Sequence, residues 1–221
     1  MSTPFASSNG TYRSFPDQSE PTVIVAEIVE SSTTEFLAQA CELDSAPPFG
    51  AFVEVASEDG PTVYGVVALV QTAGIDPGSR AIMRGHGDVR DERIYQENPD
   101  LPLVLRTTFR ALVVGFSDGH GVLQFLPPRP PRLHYSVSVC APETVRAFAA
   151  AGLDYLGAML NASDVPADEL LAANLRYTSA QHADSGEFLQ LAGRELAQLL
   201  RADYARLTGI LRRCLTLTAV Q

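Results

Sequence analysis

The stretch GAFVEVASEDGPTVYGVVALVQTAG, residues 50 to 74, has the pattern of two β-strands joined by a tight turn. The turn is Glu58-Asp59-Gly60-Pro61, where the glycine can take a positive φ and the proline can begin the next strand at little cost. Valine is frequent on both sides of the turn, which is typical of strands. We therefore predict a β-hairpin here.

Further β-rich runs lie on both sides of this hairpin. TVIVAEIVESST (22–33) and EFLAQACEL (35–43) precede it, and LVLRTTFRALVVGFSD (103–118) and GVLQFLPPRPPRLHYSVSVCA (121–141) follow it. The runs are short and are punctuated by turn residues. Residues 21–140 are therefore predicted to form a small antiparallel β-barrel of about six strands.

Residues 141–221 have a helical period instead. We predict about three helices, the first running from Pro142 to about Asn161 and the second beginning near Pro166. The third is predicted to begin after Ser185, whose hydroxyl can cap it, and to continue with its apolar stripe through Leu207 and Leu211. Strands followed by helices predict the α+β class. Residues 1–20, rich in polar residues and without a period, are predicted to be a flexible arm.

The composition favours a folded protein, with 46% hydrophobic and 19% charged residues. No apolar run of about 18 residues could span a bilayer, and the first residues lack both the basic and the apolar region of a signal peptide. We expect a cytoplasmic protein. Its three cysteines, Cys41, Cys140 and Cys214, are far apart and are predicted to be buried free thiols.

All 16 basic residues are arginine, so the chain contains no lysine. A P-loop needs a lysine ammonium group to reach the phosphates, and Schiff-base chemistry needs a lysine amine. None of the common catalytic motifs occurs, such as GxSxG, HExxH or GxGxxG. We therefore expect a non-enzymatic protein without a cofactor, a catalytic residue or ATPase activity.

The segment of residues 75–100 is polar, contains several glycines and is predicted to be a long loop between strands. It carries the densest set of reactive side chains in the sequence: Arg84, His86, Asp88, Arg90, Asp91, Glu92 and Arg93. The favoured interpretation is a solvated loop of alternating charge. The alternative is a metal-dependent enzyme in which His86, Asp88 and Asp91 act as ligands or as an acid–base pair.

The net charge of −10 argues against general binding to nucleic acid, which depends on many contacts between basic residues and phosphates. A nucleic-acid-binding barrel stays an alternative if arginines cluster on one face. The candidate clusters are Arg129 with Arg132, and Arg206 with Arg212 and Arg213.

The run Leu126-Pro127-Pro128-Arg129-Pro130-Pro131-Arg132 is the sharpest motif in the sequence. Four prolines in five residues predict an extended, preformed segment from which the arginines project, a shape often used for docking. The alternative is a rigid connector between two strands. We predict partner binding through Pro128, Arg129, Pro130 and Arg132, together with Leu207 and Leu211 on the third helix.

The strand runs also resemble the HAS-barrel family, the N-terminal barrel of HerA-type DNA translocases that ATP synthase subunits share. The resemblance covers about residues 22–140. The positions that match the family pattern are Ser31, Ser32, Thr33, Phe36, Gly50, Val53, Gly65, Val67, Pro128 and Pro130.

This resemblance implies a barrel that serves in oligomerisation or partner docking, with a HerA-type ATPase or a NurA-type nuclease as partner in DNA end processing and repair. A translocase of this family would continue into a RecA-like ATPase, whereas residues 141–221 have helical patterning. The resemblance therefore implies an accessory or regulatory protein rather than the motor, and a homo-oligomer is one possible form.

Overall fold

A computed structural model describes residues 23–58, 60–76 and 81–215. The predicted arm and the turn residue Asp59 lie outside the described residues. The strands are β1 (Ile24–Ser31), β2 (Glu35–Ala40), β3 (Phe52–Val55), β4 (Thr62–Gly74), β5 (Leu105–Ser117), β6 (Val122–Leu123) and β7 (Ser136–Val139). Antiparallel pairing of β3 with β4 confirms the predicted hairpin.

These strands form one antiparallel sheet in the order β2-β1-β7-β3-β4-β5-β6. β2 also pairs with β5, so six strands are joined in a ring and the two-residue β6 lies outside it. The pairings of β1 with β2 and of β4 with β5 contain register shifts. The sheet is therefore larger and less regular than the simple barrel of about six strands that we predicted.

Part of the strand ring is buried on both faces: β3 and the adjoining parts of β4 and β5 are, whereas buried residues alternate with exposed or half-buried ones along β1 and β2. One core cluster takes a side chain from each of the six ring strands and so fills the ring, among them Ile28, Phe36, Val53, Val67, Phe109 and Val137. Their neighbours along the strands, such as Phe52, Val66 and Val114, point to the opposite face and belong to a second cluster shared with the helices. The helices therefore pack on the outer wall of the ring.

The described residues form seven helices. Two short ones lie between β4 and β5, and five follow β7: α1 (Glu92–Glu97), α2 (Leu101–Val104), α3 (Pro142–Ala150), α4 (Tyr155–Leu160), α5 (Ala167–Ser179), α6 (Ser185–Leu199) and α7 (Tyr204–Leu215). The α+β class is confirmed. The prediction of about three C-terminal helices is wrong, because the first and the third predicted helices are each broken into two.

Local backbone features explain both breaks. Gly152 has a φ of 147°, which separates α3 from α4. Before α7, the Asp203 carboxylate accepts a hydrogen bond from the backbone N–H of Arg206, so a new helix is capped there. The predicted cap at Ser185 is also one residue too late, because the side chain that caps α6 is that of Asp184, which accepts from Glu187 N–H.

The three cysteines are free, as predicted, but only two are buried. Cys140 and Cys214 lie in the outer cluster, where burial raises the pKa of each thiol, that of Cys214 to about 11. Cys41 directly follows the end of β2 and is exposed, so the prediction of three buried thiols is wrong for this residue.

Candidate docking surface

The proline run is fixed at two points and exposed between them. Pro127 and Pro131 are buried, whereas Pro128, Arg129 and Pro130 are exposed. The hydroxyl of Ser31 at the end of β1 donates a hydrogen bond to the carbonyl oxygen of Pro131 over 2.5 Å. Since proline also restricts φ, the exposed part of the run has little conformational freedom left to lose on binding.

A groove of about 780 Å³ separates the proline run from the turn that joins β3 to β4. Its walls include Val55, Val63, Arg129, Pro130, Arg132 and Tyr135. The walls come together because β7 pairs with both β1 and β3. We call this feature the proline groove.

The two arginines of the proline groove have different surroundings. Arg132 Nη1 donates to the hydroxyl of Tyr135 over 3.3 Å, and its guanidinium lies 5.9 Å from the centre of that ring. Arg129 makes no hydrogen bond or ion pair with any residue that the structure describes. Its guanidinium is therefore available to a carboxylate or an aromatic ring of another molecule.

The other two residues predicted to bind a partner lie in the core of this chain. Leu207 on α7 is buried in the outer cluster, and Leu211, one turn later, packs against the same cluster. Burial of this apolar surface attaches α7 to α5 and α6. A role of these leucines in partner binding stays a prediction, and the proline groove does not include them.

Two ion pairs join charged residues within the segment between β4 and β5. Arg84 Nη1 lies 2.9 Å from Asp100 Oδ2 and also donates to Asn98, while Arg93 lies 3.5 Å from Glu97. His86 lies near the carbonyl oxygen of Arg84, at 3.3 Å. No three His, Cys, Asp or Glu side chains come close enough to hold a metal ion within the described parts of the chain.

Four arginines elsewhere in the described residues also form ion pairs with acids. Ion pairs join Arg110 to Glu35, Arg146 to Glu143, Arg206 to Asp168 and Arg213 to Glu169. These pairs place a negative charge beside the arginine in each case. In the predicted cluster of Arg206, Arg212 and Arg213, two of the three arginines therefore have a carboxylate beside them, which weakens their attraction for phosphates.

A small set of titratable side chains lies where the ring meets the helices. Glu54 on β3 is opposite Tyr64 on β4, and burial raises the pKa of the Glu54 carboxyl. Burial and the neighbouring Glu54 carboxylate raise the pKa of Tyr64 to about 12. Tyr64 is thus a neutral phenol at physiological pH, and its ring serves in packing against Phe148.

Sequence reasoning missed the opposite wall of the proline groove, which includes Val55 and Val63. The hairpin turn was visible in the sequence, but its position beside the proline run depends on the pairing of Glu54 with Ser138, far apart in the chain. No local pattern reports such a pairing.

No protein-family model matches this chain, and comparison with curated proteins finds no matching relative. Among the described helices, none is long and apolar enough to cross a membrane.

Proposed function

We propose that this chain is a non-enzymatic accessory protein that binds a protein partner through the proline groove. The observation that supports the proposal is the exposed segment Pro128-Arg129-Pro130, which buried prolines fix on both sides and of which Arg129 and Pro130 line an open groove. A preformed segment costs little entropy to bind, and arginine contributes strongly when its planar group pairs with a carboxylate or stacks on an aromatic ring. The matching surface is an extended segment with acidic and aromatic side chains.

We further propose that the strand ring is a barrel of the HAS type and that the partner is a HerA-type translocase or a NurA-type nuclease in DNA end processing. The closed order of six strands and the position of Pro128 and Pro130 before β7 support this assignment. In this role the protein regulates a cytoplasmic machine and leaves ATP hydrolysis and DNA cleavage to its partners.

Replacing both Arg129 and Arg132 with alanine is expected to weaken partner binding by about 1 to 2 kcal/mol. Thermal stability should hardly change, because exposed arginines contribute little to folding. Isothermal titration with a translocase or nuclease partner, found by co-purification from native cells, measures the binding, and a thermal melt measures the stability.

The matched control is the double change Arg194→Ala and Arg201→Ala. It also removes two positive charges, from exposed positions on α6 and just after it. This control should bind as tightly as the unchanged protein. Equal affinity of the Arg129/Arg132 variant would show that the proline run is only a connector.

A direct role in binding nucleic acid is not favoured, because six arginines of the described residues form ion pairs with acids and the net charge is −10. We expect a dissociation constant weaker than about 1 µM for duplex and single-stranded DNA at about 150 mM salt. Fluorescence anisotropy with labelled oligonucleotides measures it. Submicromolar affinity at this salt concentration would instead support the nucleic-acid-binding barrel.

A further inference from the structure

The C-terminal half of β4 extends beyond the strands of the ring. β3 pairs with β4 only as far as Val66, and two backbone hydrogen bonds between Val67 and the Gly50–Ala51 segment continue this contact by one residue. From Leu69 to Gly74, β4 pairs only with β5. Among the residues that the structure describes, the other edge of this six-residue segment makes no backbone hydrogen bond.

The free edge itself has no charged side chain and no proline, two of the features by which proteins usually protect edge strands, although a bulge lies at its start, between Val67 and Leu69. Residues 62–75 contain no charged residue and no proline. Leu69 to Thr72 are exposed, with 46% of Leu69 and 40% of Val70 accessible to solvent. Beside them lie the exposed apolar side chains of Ile75 and Val104, where Ile75 N–H donates to the Val104 carbonyl oxygen.

We propose that this edge pairs with the same edge of a second copy of the chain, forming a two-fold symmetric dimer. Antiparallel strands related by a two-fold axis must place one residue opposite its own copy, and in this segment that residue is Gln71 or Thr72. In either register every facing pair is uncharged, so no like charges meet despite the net charge of −10.

The local sheet also favours an added strand. At its outer end the β4–β5 ribbon consists of only two strands, and two-stranded ribbons are marginally stable in water. Dimerisation converts it into a continuous four-stranded sheet and buries part of Leu69, Val70 and Ile75. An acidic peptide would gain no complementary charge here, because the segment is uncharged and the carboxylate beside it, that of Asp44, accepts a hydrogen bond from Thr72 Oγ1 over 2.8 Å. A second copy of the segment brings uncharged residues opposite uncharged ones.

This dimer edge lies at the opposite end of β4 from the proline groove. The groove uses residues up to Val63, and the dimer edge begins at Leu69. The dimer therefore leaves both proline grooves open, and it gives the assembly two docking surfaces. The two proposals fail independently, since a change at either end leaves the other surface intact.

Sedimentation equilibrium of the full chain from about 1 to 100 µM tests the proposal, with a concentration-dependent dimer expected. Gln71→Lys should weaken the dimer at least about tenfold, because two ammonium groups would meet near the axis. Gln71→Thr, which is neutral and favourable in strands, should leave it unchanged.

Amide hydrogen exchange of the unchanged protein provides a second measurement that needs no variant. Amides within Leu69–Gly74 should exchange more slowly at high protein concentration than at low concentration. A monomer throughout the range, or a dimer that Gln71→Lys leaves intact and that does not protect these amides, would overturn the proposal.

Discussion

Replacing Gly50 with alanine is expected to lower the free energy of unfolding by about 3 to 5 kcal/mol. Gly50 has a φ of +86°, which strains any residue with a Cβ. An added Cβ would also lie 2.8 Å from the carbonyl carbon of Ala173 and from the backbone nitrogen of Asn174, both in α5. Backbone atoms of a packed helix cannot move aside cheaply.

The same site carries the buried polar link between the ring and the helices. Asn174 Nδ2 donates to the Gly50 carbonyl oxygen over 3.0 Å, and Asn174 Oδ1 accepts from the Tyr155 hydroxyl over 3.2 Å. Displacing α5 would stretch both hydrogen bonds in a site without solvent. The substitution therefore affects the packing of α5 against the strand ring, and not only the local turn at Gly50.

Gly119→Ala is the matched control for this prediction. Gly119 has nearly the same φ, +89°, but a Cβ there would meet nothing within 4 Å. We expect its cost to be about 1 kcal/mol, from backbone strain alone. Urea unfolding followed by circular dichroism measures both variants. Equal losses would show that Gly50 matters for its φ and that α5 approaches less closely than described.

Local sequence patterns were sufficient for the features that depend on neighbouring residues. The turn at Glu58 and Gly60 predicted the β3–β4 hairpin, and Pro142 marked the beginning of α3. The break at Gly152 was readable in principle, because glycine is the usual residue for a positive φ. It was missed because apolar residues with helical spacing continue on both sides of it.

The burial of strands on both faces is also visible in the sequence. The run TVYGVVA (62–68) is apolar almost throughout instead of alternating, which is typical of strands covered on both faces. Such a run could have predicted that the helices pack on the outside of the ring.

Features that require distant pairings could not be predicted in this way. The proline groove forms only because Glu54 on β3 lies beside Ser138 on β7, and the ring closes only because β2 meets β5. Neither pairing depends on a turn or a local period. The proline run was therefore identified as a motif, but the groove beside it was not.

Replacing Phe148 with alanine is expected to cost about 3 to 5 kcal/mol of unfolding free energy. Phe148 on α3 is 1% exposed, and its ring centre lies 5.2 Å from those of Phe52 and Tyr64 and 5.4 Å from that of Tyr155. Phe52 lies on β3 and Tyr64 on β4, whereas Tyr155 lies on α4. The cavity would therefore open between the strands and the helices.

Phe125→Ala is the control, since the Phe125 side chain is 61% exposed and contacts one other ring, that of Phe116 at 5.5 Å. Its loss should stay below about 1 kcal/mol. Because the outer cluster joins strands and helices, we expect Phe148→Ala to shift one cooperative transition, with far-UV and near-UV circular dichroism changing together. Separate melting of the helices, with the strands unchanged, would show instead that the ring is stable without its helical layer.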